Sequence, residues 1–125
     1  MNICMAGACG RMGRRILELA VAEGIGVGGA FDLPELAGTE LVVGAESGQP
    51  TKVTVRTDAP GEIAKADVLI DFTAPDACIG NATYAAQAGK PCVIGTTGLS
   101  QAHKEKLAVL AKDVAIVHAP NMSVG

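Results

Sequence analysis

Three glycines, Gly7, Gly10 and Gly13, follow the apolar start MNICMA at intervals of three and lead into RRILELAVAEG, which has the look of a helix. Glycines at the junction of a strand and a helix serve a chemistry that side chains would obstruct. The first turn of a helix presents N–H groups without partners inside the helix, together with about half a positive charge, and so seats phosphate. In a dinucleotide-binding turn one glycine makes the tight exit from the strand, one lets backbone approach the pyrophosphate, and one lets the helix pack closely. Gly7, Gly10 and Gly13 can fill those roles in that order, with Ala8, Cys9, Arg11 and Met12 completing the turn. The spacing is G-x-x-G-x-x-G; the commoner G-x-G-x-x-G would need glycine at positions 9 and 12, where Cys9 and Met12 stand. Asp32 comes 19 residues after Gly13 at the end of the next apolar run, where a carboxylate accepts hydrogen bonds from the adenosine ribose. Arg11 lies on the turn within reach of a phosphate.

The elements that must hold these residues alternate. Apolar runs at 2–6, 25–31, 52–57, 68–72, 91–95 and 114–119 read as strands, and 11–23, 76–88 and 100–111 read as helices. That rhythm predicts a parallel sheet covered by helices on both faces: a single-domain, three-layer α/β fold, Rossmann-like and doubly wound, over residues 1–125. In the first helix Ile16, Leu17, Leu19 and Ala20 are expected to be buried, and Gly24 ends it. Pro75 and Asp76 suit the first turn of the second helix, and Gly89 closes it. Ser100 suits the N-cap of the third, whose apolar face is Leu107, Leu110 and Ala111 and whose His103, Lys104, Glu105 and Lys106 form the solvated side. Residues 33–50 read as a surface loop with one short element at most. Ligands of such sheets lie beyond the carboxyl ends of the strands. That rule selects Phe72 and Thr73, then Gly95, Thr96 and Thr97, then Ala119, Pro120 and Asn121. Asp71 is expected to brace its turn without a catalytic role, and His118 to be a packed side chain in its strand.

Composition narrows the function further. The chain has 125 residues, 49% of them hydrophobic, enough for one domain that buries about two-thirds of its unfolded surface. Aromatic residues make up 2%, so Ala, Val, Ile and Leu must fill the core. The net charge is −3, which supplies no general positive field for nucleic acid or an anionic membrane. No apolar stretch reaches membrane-spanning length and no export signal opens the chain, so a cytoplasmic location is expected. Cys4, Cys9, Cys78 and Cys92 have neither metal-ligand nor disulfide-framework spacing. They are expected to be small buried residues, except Cys9, whose place at a helix N-terminus would lower its pKa.

Four stretches in order, AGACGRMG (6–13), DFTAPDA (71–77), VIGTTG (93–98) and APNMSVG (119–125), make the whole chain resemble the cofactor domain of the dihydrodipicolinate reductases. The resemblance implies hydride transfer from NADH or NADPH to a cyclic dicarboxylate in diaminopimelate and lysine biosynthesis. It assigns the GTT and APN stretches, with Met122 where the family often has an aromatic, to the nicotinamide half, and places Thr97 to meet substrate. It also implies a second domain, carrying a His-rich stretch and a Lys, through which homotetramers form. Nothing here matches those residues, so the chain is expected to be an N-terminal domain that binds cofactor without turnover. Asp32 followed by Leu33 and Pro34, without an adjacent base, favours NADH over NADPH. The rival readings are the cofactor domain of an aspartate or homoserine dehydrogenase type, and a nucleotide-binding module without chemistry.

Overall fold

The structure is a computed structural model that describes residues 1–45, 48 and 50–119. Its strands are β1 (Asn2–Ala6), β2 (Gly26–Phe31), β3 (Glu40–Val43), β4 (Thr51–Thr54), β5 (Val68–Asp71), β6 (Cys92–Ile94) and β7 (Ile116–His118). The helices are α1 (Arg11–Ala22), α2 (Ala59–Ala64), α3 (Pro75–Gln87) and α4 (Gln101–Leu110).

Five strands form one sheet in the order β2-β1-β5-β6-β7, parallel throughout. The chain winds from β1 outward to β2 and then returns to the other side of β1 for β5. The switch point between β1 and β5 is where such sheets open a crevice. Cys4, Ala6, Leu69, Cys92 and Ile94 share one core with Ile63 of α2, Cys78, Ala82 and Ala85 of α3 and Leu107 of α4. Met5 and Ala30 belong to the other core, with Leu17 of α1 and Leu41, Val43, Val53 and Val55 from the β3–β4 region. The central strands are thus apolar on both faces, which explains why they read as short continuous runs instead of alternating ones. The fold is the Rossmann-like, doubly wound α/β arrangement that the rhythm of the sequence predicts.

Several local expectations are corrected. Residues 33–50 hold a 3-10 turn at Pro34–Leu36 and the strand β3. Strand β4 does not join the parallel sheet; it pairs antiparallel with β3 in a separate two-stranded sheet. A bridge between Phe31 and Arg56 ties its continuation to β2. Leu41, Val43 and Val53 turn inward while Val42 is exposed, so this small sheet covers the α1 face with one apolar side. Helix α2 was not anticipated, although its signals are present: Asp58 caps it by accepting from Gly61 N at 3.2 Å, and Pro60 occupies the first turn. In α1, Leu19 is 59% exposed, whereas Gly13, Leu17 and Ala20 are buried. A residue two positions from Leu17 is rotated about 200° around the axis and cannot share its face. Ala111 is exposed as the C-cap of α4, and His118 is exposed at the end of the edge strand β7, not packed.

Helix α2 lies so close to β2 that side chains are excluded there. A Cβ on Gly29 would sit 2.6 Å from the Glu62 carbonyl oxygen, and one on Gly28 2.8 Å from that of Lys65. Glu62 is buried and accepts from Ala30 N at 3.3 Å through Oε1, while its Oε2 pairs with Lys65. Among the described residues no helix is long and apolar enough to cross a membrane, and no group of His, Cys, Asp and Glu is arranged to hold a metal. Forcing a methyl group into this contact tests the packing: Gly29→Ala is expected to lower unfolding free energy by about 1–3 kcal/mol. An unchanged denaturant midpoint would contradict the close approach.

Candidate cofactor site

The loop from β1 to α1 is shaped by three different needs for glycine. Gly7 has φ +82°, and a Cβ there would lie 2.8 Å from the Phe72 carbonyl oxygen, so both conformation and space require it. Its N–H donates to Phe31 O at 3.0 Å, which fixes the loop to the end of β2. Gly13 has no room: a Cβ would lie 2.1 Å from Gly7 O and 2.9 Å from Ala8 Cα. It packs α1 closely against its own loop. Gly10 differs from both. It is exposed, has an ordinary φ of −72°, and a Cβ would meet only Gly7 O at 3.4 Å. It is the N-cap of α1, which has no side-chain cap, so the first-turn amides face outward over a side-chain-free position. Arg11, the first residue of α1, is exposed and makes no ion pair among the described residues.

Asp32 follows β2 directly and reaches back across the loop. Its Oδ2 accepts from Cys9 N at 2.8 Å and its Oδ1 from Leu33 N at 2.8 Å. The Cys9 side chain also meets this carboxylate, which retains acceptor capacity for a further donor. The expectation for Cys9 is reversed: partial burial and then the Asp32 carboxylate push its thiol pKa up, not down. The other three cysteines are free and buried as expected, and burial raises Cys4 and Cys78 to about 12 and Cys92 to about 11.

A cleft of about 640 Å³ opens at the switch point. Gly7, Cys9 and Gly10 line its middle, Asp32, Leu33, Pro34 and Leu36 one end, and Phe72, Thr73 and Asn81 the other. Thr57 and Ala59, which join β4 to α2, also line it; sequence reasoning missed them along with α2. A smaller hollow of about 390 Å³ follows the outer edge of β2 and contains none of the candidate binding residues.

Beyond the cleft the next strand ends carry the remaining candidates. Asp71, 1% exposed, accepts through Oδ1 from Thr73 N at 2.8 Å, Thr73 Oγ1 at 2.7 Å and Thr96 Oγ1 at 3.0 Å. Its Oδ2 accepts from Asn81 Nδ2 at 2.9 Å. The bracing role expected of Asp71 is what the structure displays. Gly95 gives way to the Phe72 ring, since a Cβ would lie 2.2 Å from two of its carbons. Thr96 is 3% exposed with its hydroxyl on Asp71, whereas Thr97 is open to solvent. His118 Nε2 lies 3.2 Å from Thr96 O, and Ala119 N donates to Ile94 O at 2.8 Å. Gly95, Thr96, Thr97 and Ala119 therefore gather at neighbouring strand ends without lining the cleft itself. Pro120, Asn121 and Met122 lie outside the described residues. His103 is not simply solvated: with Ser100 it forms a capping box, and its Nε2 lies 2.8 Å from Asp76 Oδ1, joining the first turns of α4 and α3.

The family model described as dihydrodipicolinate reductase, N-terminus, matches residues 1–122. The 4-hydroxy-tetrahydrodipicolinate reductase of Cupriavidus pinatubonensis is 44% identical over the whole chain, which covers 48% of that relative. The enzyme of the same name from Aromatoleum aromaticum is 42% identical, with 46% of it covered. The chain thus spans about half the length of the curated relatives it matches. Among solved structures, dipicolinate-bound dihydrodipicolinate reductase from Paenisporosarcina sp. TG-14 aligns over 99% of this chain and 48% of its own, with TM-score 0.76 and 23% identity. Aspartate semialdehyde dehydrogenase II from Vibrio cholerae aligns over 98% and 42%, with TM-score 0.71 and 17% identity. At those identities the structures bear on the fold.

The thiol of Cys9 reports on the loop. With its pKa raised, little thiolate exists near pH 7, so iodoacetamide should modify Cys9 more slowly than free cysteine, yet before the three buried thiols. Asp32→Asn removes the repelling charge and should accelerate that reaction; mass-mapped alkylation at fixed pH reads both rates.

Proposed function

The chain belongs to the dihydrodipicolinate reductase N-terminus family, and from that membership we propose that it holds a nicotinamide dinucleotide across the switch point between β1 and β5. The observation that carries this reading is Gly10. The fold needs glycine at Gly7 for its φ and at Gly13 for packing, but neither demand applies at Gly10. A side-chain-free position over uncapped helix amides is accounted for by a pyrophosphate seated there. Arg11 adds a positive charge at the rim.

The cleft divides the ligand into halves. Asp32, with acceptor capacity left at the mouth of the cleft, accepts from the adenosine ribose hydroxyls, and Leu33, Pro34 and Leu36 offer apolar surface to adenine. Phe72 and Thr73, then Gly95, Thr96, Thr97 and Ala119, with Pro120, Asn121 and Met122 after them, bound the nicotinamide half. The bound cofactor supplies a hydride to an electrophilic carbon; this chain's residues contribute position and orientation. Thr97, open at the end of β6, faces the substrate, a cyclic dicarboxylate of the tetrahydrodipicolinate type. Substrate and proton come from the half of the relatives' length that this chain does not span, and that half also assembles the homotetramer.

NADH is the preferred partner. A 2′-phosphate about 5 Å from the Asp32 carboxylate would cost on the order of 3 kcal/mol at an effective dielectric of 20, less with screening. No base stands directly after Asp32 in the chain, and Arg56, although bridged through backbone to Phe31, lines the hollow outside β2 instead of the cleft. Arg11 reduces the difference without reversing it.

Calorimetric titration tests both parts. NADH should bind more tightly than NADPH; the reverse order would overturn the role given to Asp32. Gly10→Val should weaken NADH binding about tenfold or more with little change in thermal midpoint, because the fold has room for the side chain and the pyrophosphate does not. Full affinity in a folded Gly10→Val variant would refute the proposed seat.

A further inference from the structure

We propose that Asp71 is a positioning residue for the nicotinamide half of the cofactor, setting the turns after β5 and β6 against each other without touching the ligand. The inference rests on the cofactor placement above. Asp71 ends β5 beside the switch point and is buried, with no cation paired to it among the described residues. A buried anion without a counter-ion persists only where hydrogen bonds replace its water. Four side-chain and backbone donors do so here, from Thr73, Thr96 and Asn81.

The number and origin of the donors matter. A carboxylate has about four acceptor sites, whereas an amide oxygen has two and brings an NH2 group that can only donate. Only the acid satisfies Thr73 N, both threonine hydroxyls and the Asn81 amide together. These donors come from three segments: the turn after β5, the turn after β6, and α3. The backbone of Asp71 adds a fourth tie, since its carbonyl accepts from Gly95 N at 2.9 Å. The Phe72 ring fills the space left by Gly95, and His118 Nε2 extends the web to β7 through Thr96 O. Thr73 lines the cleft and Thr96 precedes the exposed Thr97, so Asp71 acts on the ligand through its neighbours. The adenosine half is held by Asp32 and the glycine loop, which pack against this web at Phe72 but share no hydrogen bond with it among the described residues.

That separation makes a purely structural role distinguishable from a positioning one. ADP-ribose carries the pyrophosphate and adenosine but lacks nicotinamide. In Asp71→Asn, the amide NH2 faces the Asn81 NH2 group, and the three donors that share Oδ1 lose the negative charge that draws them. NADH binding should weaken about tenfold, or 1.4 kcal/mol, while ADP-ribose binding stays within about twofold of the original chain. If Asp71→Asn does not fold, the pair Asp71→Asn with Asn81→Asp restores a donor and acceptor between those positions. It still meets the three donors with an uncharged oxygen, and it should show the same split. Equal losses for both ligands would make Asp71 a stability residue only and overturn the proposal, as would unchanged NADH affinity. Failure of the original chain to bind either ligand would instead remove the cofactor placement, and this inference with it.

Discussion

The crowding around one backbone oxygen, that of Gly7, governs the rest of the molecule. It accepts from Gly10 N at 3.1 Å, and the absent side chain of Gly13 would have lain 2.1 Å away. Gly7 itself presses against the Phe72 carbonyl. Three segments, the loop, α1 and the end of β5, converge here with almost no side chain between them. Closeness of that kind leaves no slack, so the direction of α1 and the height of the loop above the sheet are both determined. The cleft has its shape because the backbones that border it are already in contact.

Two carboxylates flank that contact and are treated alike. Asp32 is met by backbone amides of the loop and of Leu33, Asp71 by threonines, an asparagine and a backbone amide. Neither forms an ion pair among the described residues. Neutral donors hold an anion in a definite orientation, since each N–H or O–H has a direction that a mobile lysine lacks. They differ in access: Asp32 is half-buried at the mouth of the cleft and Asp71 is sealed beneath it. One is available to a ligand and the other to the protein alone.

What the sequence made legible follows from length and period. The glycines at 7, 10 and 13, Asp32, the five parallel strands and three helices were readable, since each long element had an apolar face and each turn its punctuation. The run that forms β4 reads as a strand, but as part of the parallel sheet; β3 was hidden because its one inward Leu41–Val43 pair, set among turn residues, resembles chance. Helix α2 spans Ala59–Ala64, under two turns, too few for a helical period to emerge, so its Asp58 cap and Pro60 were the only signal. Leu19 was misplaced by counting apolar residues where the angle between them decides. Thr96 and Thr97 are identical neighbours in sequence, yet one is buried on Asp71 and the other open. Their difference arises from the path of the turn after β6, which no local pattern encodes. The reversed expectation for Cys9 has the same origin: the helix terminus was visible in the chain, but the approach of Asp32 from 23 residues away was not.

The packing of α2 on β2 has a consequence for how the chain behaves among its own copies. An outermost strand offers free amides and carbonyls on which another chain can build, and glycine-rich β2, with nothing bulky to obstruct an arriving strand, is poorly defended against this. At Ala30 the defence is supplied from outside the strand: Glu62 covers the amide and Arg56 N covers the carbonyl at 3.0 Å. A buried acid on a six-residue helix thereby occupies an edge amide on which an arriving strand would build.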